Sequence, residues 1–393
     1  MLRLCLVALS CLACALPEPA APPDAAPADA PRAGRDAGTP PEDLEAFVAW
    51  HMAEGGILGL SAATFRAGAI DQVHAFGRAD EMRPVDEHTL FLVASVSKTV
   101  TGALALQLAE AGQLDLDADV SSYLGAPFRH PAFPDVPITA RMLASHTSGL
   151  VDDWFALGAA TVEGDATVPL ATFAEDYAAD ETHWAERAPG TERVYCNAGF
   201  GVLGAVIEAA GGAPLPAQAE ARIFGPLTLD GASFLLRDTD LSRLASEQAW
   251  ARSGGFASLP HRGYAFYPAT SLRISATGLG RWALANARGG ELDGARLLAP
   301  EWAAETQRDQ FPAASSSQHF AWYGMTRFGA GWNGHTGSSH GSSALVLVRE
   351  SDQSGLALLT NSDAYLRSRF GDESGARAID AIAARLLAES GLP

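Results

Sequence analysis

Hydrophobic and polar positions follow three different rhythms along the chain. Residues 57–65 and 70–77 are strand-length runs separated by Arg66-Ala67-Gly68, a turn-forming triplet, and together they predict a β-hairpin. From residue 95 to about 111 the spacing changes. Val96, Val100, Leu104 and Leu108 recur at helical intervals and Gly112 supplies a stop signal, which predicts a helix. Helical patterning dominates from there to about residue 305, for example over 199–210 and 276–287, between Gly- and Pro-rich loops. Strand character returns at 344–348 and 356–360, and an amphipathic helix is predicted from about 373 to 389. No internal repeat is visible. Strands, a long helical block, then strands and a last helix imply an α/β (α+β) fold. Its antiparallel sheet is built from both chain ends and flanked by helices, with a large, mainly helical insertion. The sheet part is expected over 42–94 and 306–393 and the helical part over 95–305, with catalytic groups at their seam.

The N-terminal end follows neither rhythm. Residues 4–13 form a short apolar run after Arg3, which resembles the core of a secretory signal and is too short to span a bilayer. Residues 1–15 are therefore read as an export signal. Cleavage follows Ala13-Cys14-Ala15, or Cys14 (with Cys11 the weaker candidate) becomes a lipidated terminus that anchors the protein to a membrane. Residues 16–41 are mostly Ala, Pro, Asp and Gly and read as a disordered linker, so the folded domain is expected over 42–393. These features place the protein outside the cytoplasm of a bacterium: periplasmic, lipid-anchored or secreted.

Composition narrows the function classes. A hydrophobic content of 48% with 19% charged residues is that of a globular protein with an ample core. A net charge of −19 without a basic stripe excludes nucleic acid as a partner. Three of the four cysteines, Cys5, Cys11 and Cys14, lie in the export segment, so Cys196 has no intrachain disulfide partner. The ten histidines show no metal-ligand spacing, and neither a metal nor another cofactor is expected.

The 27 basic residues are 26 Arg and one Lys, and that lysine, Lys98, stands three places after Ser95. Guanidinium keeps its proton in a protein, whereas a buried ammonium can release one and act as a base. Positions i and i+3 share a helix face, which brings the amine within reach of the hydroxyl. Free N–H groups at the head of the helix favour the negative charge that develops in acyl transfer. The acidity of the whole chain works against a neutral amine, so burial is expected to dominate.

Two further elements follow. In the turn-led segment Pro189 to Asn197, Tyr195 is a candidate proton relay and Asn197 a candidate ligand of both Lys98 and a substrate carbonyl. The segment Gly334-His335-Thr336-Gly337-Ser338 precedes a strand and suits a sheet edge, where extended substrate can be added as a strand and Ser338 N–H can join Ser95 N–H in an oxyanion hole.

In this order and at these separations, the three elements resemble the serine β-lactamase and penicillin-binding-protein superfamily, in its class C-like branch. Leu143-Ala144-Ser145-His146-Thr147-Ser148-Gly149-Leu150 is similar to the family's L-L-x-H-T-S-G-L segment, and Arg222-Ile223-Phe224-Gly225-Pro226-Leu227 to its R-I-F-x-P-L. The resemblance spans about 42–389. It implies a serine β-lactamase-like fold, Ser95 as the acylated nucleophile, Lys98 as its base and Tyr195 as the relay that protonates the leaving group and helps activate water. It further implies that Asn197, His335, Thr336 and Gly337 meet the substrate; His146, in a turn-rich loop after a helix, is read as structural. The implied substrate is a small molecule or peptide: a cell-wall peptide ending in D-Ala-D-Ala, an ester or a β-lactam.

The β-lactamases of this branch usually carry lysine where His335 stands. Imidazole is mostly neutral near pH 7, which weakens a β-lactamase reading and leaves the carboxypeptidase and esterase readings stronger. No Ser-Asp-Asn triplet occupies the second element, and Asn361-Ser362-Asp363 comes too late for the class A pattern. Gly337-Ser338-Ser339-His340-Gly341 matches the G-x-S-x-G elbow of α/β-hydrolases, but a strand is predicted downstream instead of a helix, and no histidine follows His340. A receptor or scaffold that is acylated without turnover is the non-enzymatic alternative. The sequence leaves the oligomeric state open.

Overall fold

The computed structural model describes residues 39–251, 255–315 and 317–392; residues 1–15, read as an export signal, and the linker up to residue 38 lie outside them. Helix α1 (Leu44–Glu54) leads into strands β1 (Gly59–Arg66) and β2 (Ala69–Gly77). Helices α2 (Ser97–Glu110), α3 (Trp154–Ala159), α4 (Asn197–Gly211) and α5 (Ala276–Ala287) follow. Strands β3 (Tyr323–Gly324), β4 (Asn333–Ser339), β5 (Ser342–Arg349) and β6 (Ser354–Thr360) then precede helices α6 (Ala364–Ser368) and α7 (Ser374–Glu389).

Both ends of the chain contribute to one antiparallel sheet of order β3-β4-β5-β6-β1-β2. The predicted hairpin turns at Ala67 and Gly68, both at positive φ (48° and 79°), a geometry whose twist suits a two-residue hairpin loop. Register Ala63↔Ala357 then stitches β1 to β6 across nearly the whole sequence. Strands β5 and β6 are buried on both faces, so they read as unbroken apolar runs instead of alternating ones. Alternate residues serve two cores. Val346, Ala357 and Leu359 pack with Trp282 of α5 and the helical part, whereas Leu345, Leu356 and Leu358 pack with Val48 of α1 and Ile379 and Ile382 of α7.

The structure departs from the sequence expectation in three places. Helix α1 stands where no helix was expected: its apolar residues are spread around the helix and form no stripe, although Asp43 caps it by accepting from Ala46 N–H. The middle of the chain holds short antiparallel strand pairs as well as helices, including Leu90–Leu92 with Arg273–Ser275 and Thr161–Glu163 with Arg262–Tyr264. Helix α5, in the middle of the chain, packs on the sheet.

Helix α2 is the axis of the helical part. Every residue from Ser97 to Ala109 is buried, and its polar side chains find fixed partners: Thr101 Oγ1 donates to Pro268 O at 2.7 Å, and Trp282 Nε1 donates to Thr99 Oγ1 at 3.0 Å. A helix enclosed on all sides holds a side chain in one place, because packed interiors leave little room to move.

Candidate active site

Ser95 lies two residues before α2, in the 3-10 turn Ala94–Val96, and so just outside the α-helix predicted to begin with it. The short strand Leu90–Leu92 ends at Val93, whose N–H donates to Leu272 O, and the chain then turns sharply through Ala94 at φ 46°. A left-handed alanine costs on the order of 1–3 kcal/mol and persists only where its surroundings hold it. Ser97 does so: its Oγ donates to Ala94 O at 2.6 Å and accepts from Leu272 N–H at 2.9 Å. Ala94, Val96, Ser97 and Lys98 are buried, while Ser95 keeps access to solvent.

Lys98 is 0% exposed. Its Nζ lies 3.1 Å from Ser95 Oγ, 2.7 Å from Asn197 Oδ1 and 2.8 Å from Ala269 O. The two carbonyl oxygens can only accept. A neutral amine therefore donates its two N–H bonds to them and turns its lone pair to the Ser95 hydroxyl. Burial pushes the ammonium pKa down from 10.5 to about 7, against the raising effect of the Asp152 carboxylate and with help from Arg369. The sign matches the expectation that burial dominates the acidity of the chain.

Asp152 is the residue that sequence reasoning missed. One carboxylate oxygen accepts from the N–H groups of Asn197 (2.7 Å) and Ala198 (3.1 Å) at the head of α4, and the other accepts from Asn197 Nδ2 at 2.7 Å. A carboxylate suits a helix N-terminus, where backbone donors are otherwise unused. Its grip on Nδ2 fixes the amide so that Oδ1 faces Lys98.

Tyr195 stands beside Ser95, and its ring centroid lies 5.0 Å from Lys98 Nζ. Burial raises the phenol pKa far above its ordinary value, so at neutral pH the hydroxyl is protonated and can donate. His146 supports it from beneath. Its ring lies 4.2 Å from that of Tyr195, its Nδ1 accepts from Cys196 N–H at 3.1 Å, and its carbonyl accepts from Val194 N–H at 2.9 Å. Burial also keeps this imidazole neutral by pushing its pKa well below 6.5.

The third element is strand β4. Its short neighbour β3 pairs only with Asn333 and Gly334, so the strand is open to substrate farther along. Thr336 N–H points out of this edge, donating to Tyr323 OH at 2.9 Å. Strand periodicity then sends Ser338 N–H out of the same edge two residues on. Ser95 N–H, in the first turn before α2, has no helical acceptor. Gly337 lets the two approach: a Cβ there would lie 2.1 Å from Val93 O, immediately before the Ser95 turn. Expected to meet substrate, Gly337 is instead buried against that turn. Thr336 is half-buried with its hydroxyl 2.7 Å from Tyr323 OH.

His335 also departs from expectation. It is 2% exposed, with its ring centroid 6.4 Å from that of Tyr195 and 4.8 Å from that of Tyr323, and its Nδ1 lies 2.7 Å from Thr336 O. Strand periodicity puts it on the same face as Gly337, where it packs beside Tyr195 instead of facing the open cleft. Burial, reinforced by Lys98, pushes its pKa down to about 3, so it carries no charge at neutral pH. The segment Gly337 to Gly341 closes the β4–β5 hairpin, which is strand-turn-strand and not the strand-to-helix elbow of an α/β-hydrolase.

Ser95, Asn197 and Ser338 line a cleft of about 860 Å³ whose farther walls include Trp154, Tyr264 and Phe370. A second cavity, of about 670 Å³, is lined by other residues such as Glu208 and Phe234 and does not reach Ser95.

Comparison with known proteins agrees with this geometry. The family described as Beta-lactamase matches residues 44–381. A stretch of 211 residues is 33% identical to Esterase EstB of Burkholderia gladioli, covering 51% of this chain and 53% of the esterase. A Beta-lactamase of Pseudomonas fluorescens is 30% identical over 206 residues, 52% of each chain. The match thus spans about half the length of these curated relatives. The structure of the octameric penicillin-binding protein homologue from Pyrococcus abyssi superposes with a TM-score of 0.73 at 22% identity, covering 89% of this chain and 77% of that one, and shares the fold.

Proposed function

The chain belongs to the beta-lactamase family, within the serine hydrolases, and from that premise we propose that it hydrolyses carboxylic esters through an acyl-serine intermediate on Ser95. One observation carries the reading. The lone lysine is fully buried, with two carbonyl oxygens occupying its N–H bonds and its remaining direction aimed at the Ser95 hydroxyl. Neutral Lys98 takes the Ser95 proton as Oγ attacks the carbonyl carbon, and the N–H groups of Ser95 and Ser338 receive the oxyanion. As the acyl–oxygen bond breaks, the Tyr195 hydroxyl gives its proton to the leaving alkoxide and regains one from the Lys98 ammonium. Water then transfers a proton back along the same route, attacks the acyl-serine and releases the acid. Asn197 orients the bound carbonyl compound, and His335 and Gly337 support Tyr195 and the Ser95 turn.

Ester over β-lactam is favoured by His335, which is buried and offers no fixed charge to a carboxylate beside Tyr195. The proposal includes an export signal over residues 1–15, with or without lipid on Cys14, and work outside the cytoplasm.

Acid release from methyl butyrate is expected to outpace turnover of a D-Ala-D-Ala peptide and of a chromogenic cephalosporin. The pH profile carries a second expectation. Protonated Lys98 cannot accept a proton, so kcat/KM falls about tenfold per pH unit below a pKa of about 7. Faster turnover of peptide or cephalosporin would displace the ester reading, and stoichiometric labelling by penicillin without any turnover would make the protein a receptor.

A further inference from the structure

The cleft beside Ser95 lies to one side of the reacting carbonyl. Ser95, Asn197 and the β4 edge at Ser338 line it, whereas Tyr195 and His335 do not. If Tyr195 protonates the leaving group, the leaving group faces Tyr195 and the acyl group faces the cleft. On the Tyr195 side His335 is buried and the Tyr323 hydroxyl is held by Thr336. On the other side, about 860 Å³ is available.

The cleft has a largely apolar wall. Trp154 and Leu157 of α3, Phe266, and Leu366 and Phe370 at α6 all face it. Trp154 is 62% exposed and Phe370 78% exposed, although both are large apolar side chains. Clustered at the mouth of a catalytic cleft, such residues mark a surface that is covered when ligand binds. The charged residues of the lining are Glu163, Arg262 and Arg369, and the Arg369 guanidinium sits 5.5 Å from the Trp154 ring centroid, steadying the indole at the entrance.

From this asymmetry we infer that the substrates are esters of a bulky apolar acid, aromatic or of medium chain length, with a small alcohol, and that Trp154 and Phe370 set this preference. The inference rests on the ester-hydrolase reading and assigns the two sides of the scissile bond.

Methyl phenylacetate and benzyl acetate test it, since they are isomers that carry the phenyl ring on opposite sides of the same ester. Acid release is followed in a pH-stat for the full chain, for Trp154→Ala and for Phe370→Ala. The expected kcat/KM for methyl phenylacetate exceeds that for benzyl acetate by on the order of tenfold, the scale on which an apolar pocket discriminates. Each variant lowers this ratio severalfold. Equal rates, the opposite preference, or a ratio unchanged in both variants would overturn the inference. Failure of the parent reading looks different: neither isomer would then be hydrolysed, or hydrolysis of both would persist in Ser95→Ala.

Discussion

Ser95→Ala is expected to abolish covalent labelling and to lower kcat/KM for any ester substrate by about 10⁴-fold or more, the range seen when a catalytic nucleophile is removed. The expectation follows from the turn that presents the side chain. Ala94 is held at positive φ by Ser97, whose Oγ links Ala94 O to Leu272 N–H, so Ser95 Oγ is directed at Lys98 Nζ, 3.1 Å away, while keeping solvent access. The same geometry says why the fold tolerates the change. The Ser95 hydroxyl holds no secondary structure together, and the strained turn is maintained by other residues, so the melting temperature is expected to move by no more than about 2 °C. Ester hydrolysis that survives in this variant at more than a hundredth of the original rate, with its fold intact, would remove Ser95 from the chemistry.

Lys98→Arg is expected to cost about 10³-fold or more in kcat/KM even though the charge is retained, because guanidinium cannot take a proton at neutral pH. The surroundings sharpen the contrast. The site offers two carbonyl acceptors and one hydroxyl to a single nitrogen. A planar fork of five donors cannot match that set, and it is wider than the enclosed space around a fully buried side chain. Since overpacking alone can unfold a core, Lys98→Met supplies the companion variant: similar in volume, uncharged and unable to accept a proton. Lys98→Met is expected to keep the circular dichroism spectrum of the parent. A tenth of the original activity in either would exclude lysine as the base.

The sequence made part of this site legible because part of it is local. Ser95 and Lys98 are one turn apart, and a single lysine among 26 arginines stands out without any knowledge of the fold. Tyr195 and Asn197 carry no local signal and become readable only through the order and spacing of all three elements. Asp152 was illegible for a different reason. Its partners are 45 and 46 residues away, and an aspartate beyond a turn-rich loop looks like any surface acid until α4 is seen to begin against it. The placement of His335 depends on which face of β4 meets the helical part, and a strand's period of two does not say which face that is. In the fold, the doubly buried β5 and β6 announced themselves as apolar runs, whereas α1 lacked a stripe, and the period of α5 could not show that it packs on the sheet.

The lone lysine also permits the most direct measurement of how Ser95 is activated. Protein carrying biosynthetic ¹³Cε-lysine gives one side-chain resonance, from Lys98, and its chemical shift can be followed against pH. A midpoint near 7 is expected, with the shift perturbed when Ser95 is acylated. A midpoint above 10, the value of a solvated ammonium, unaffected by acylation, would mean that Lys98 remains protonated and that Ser95 is not activated by it.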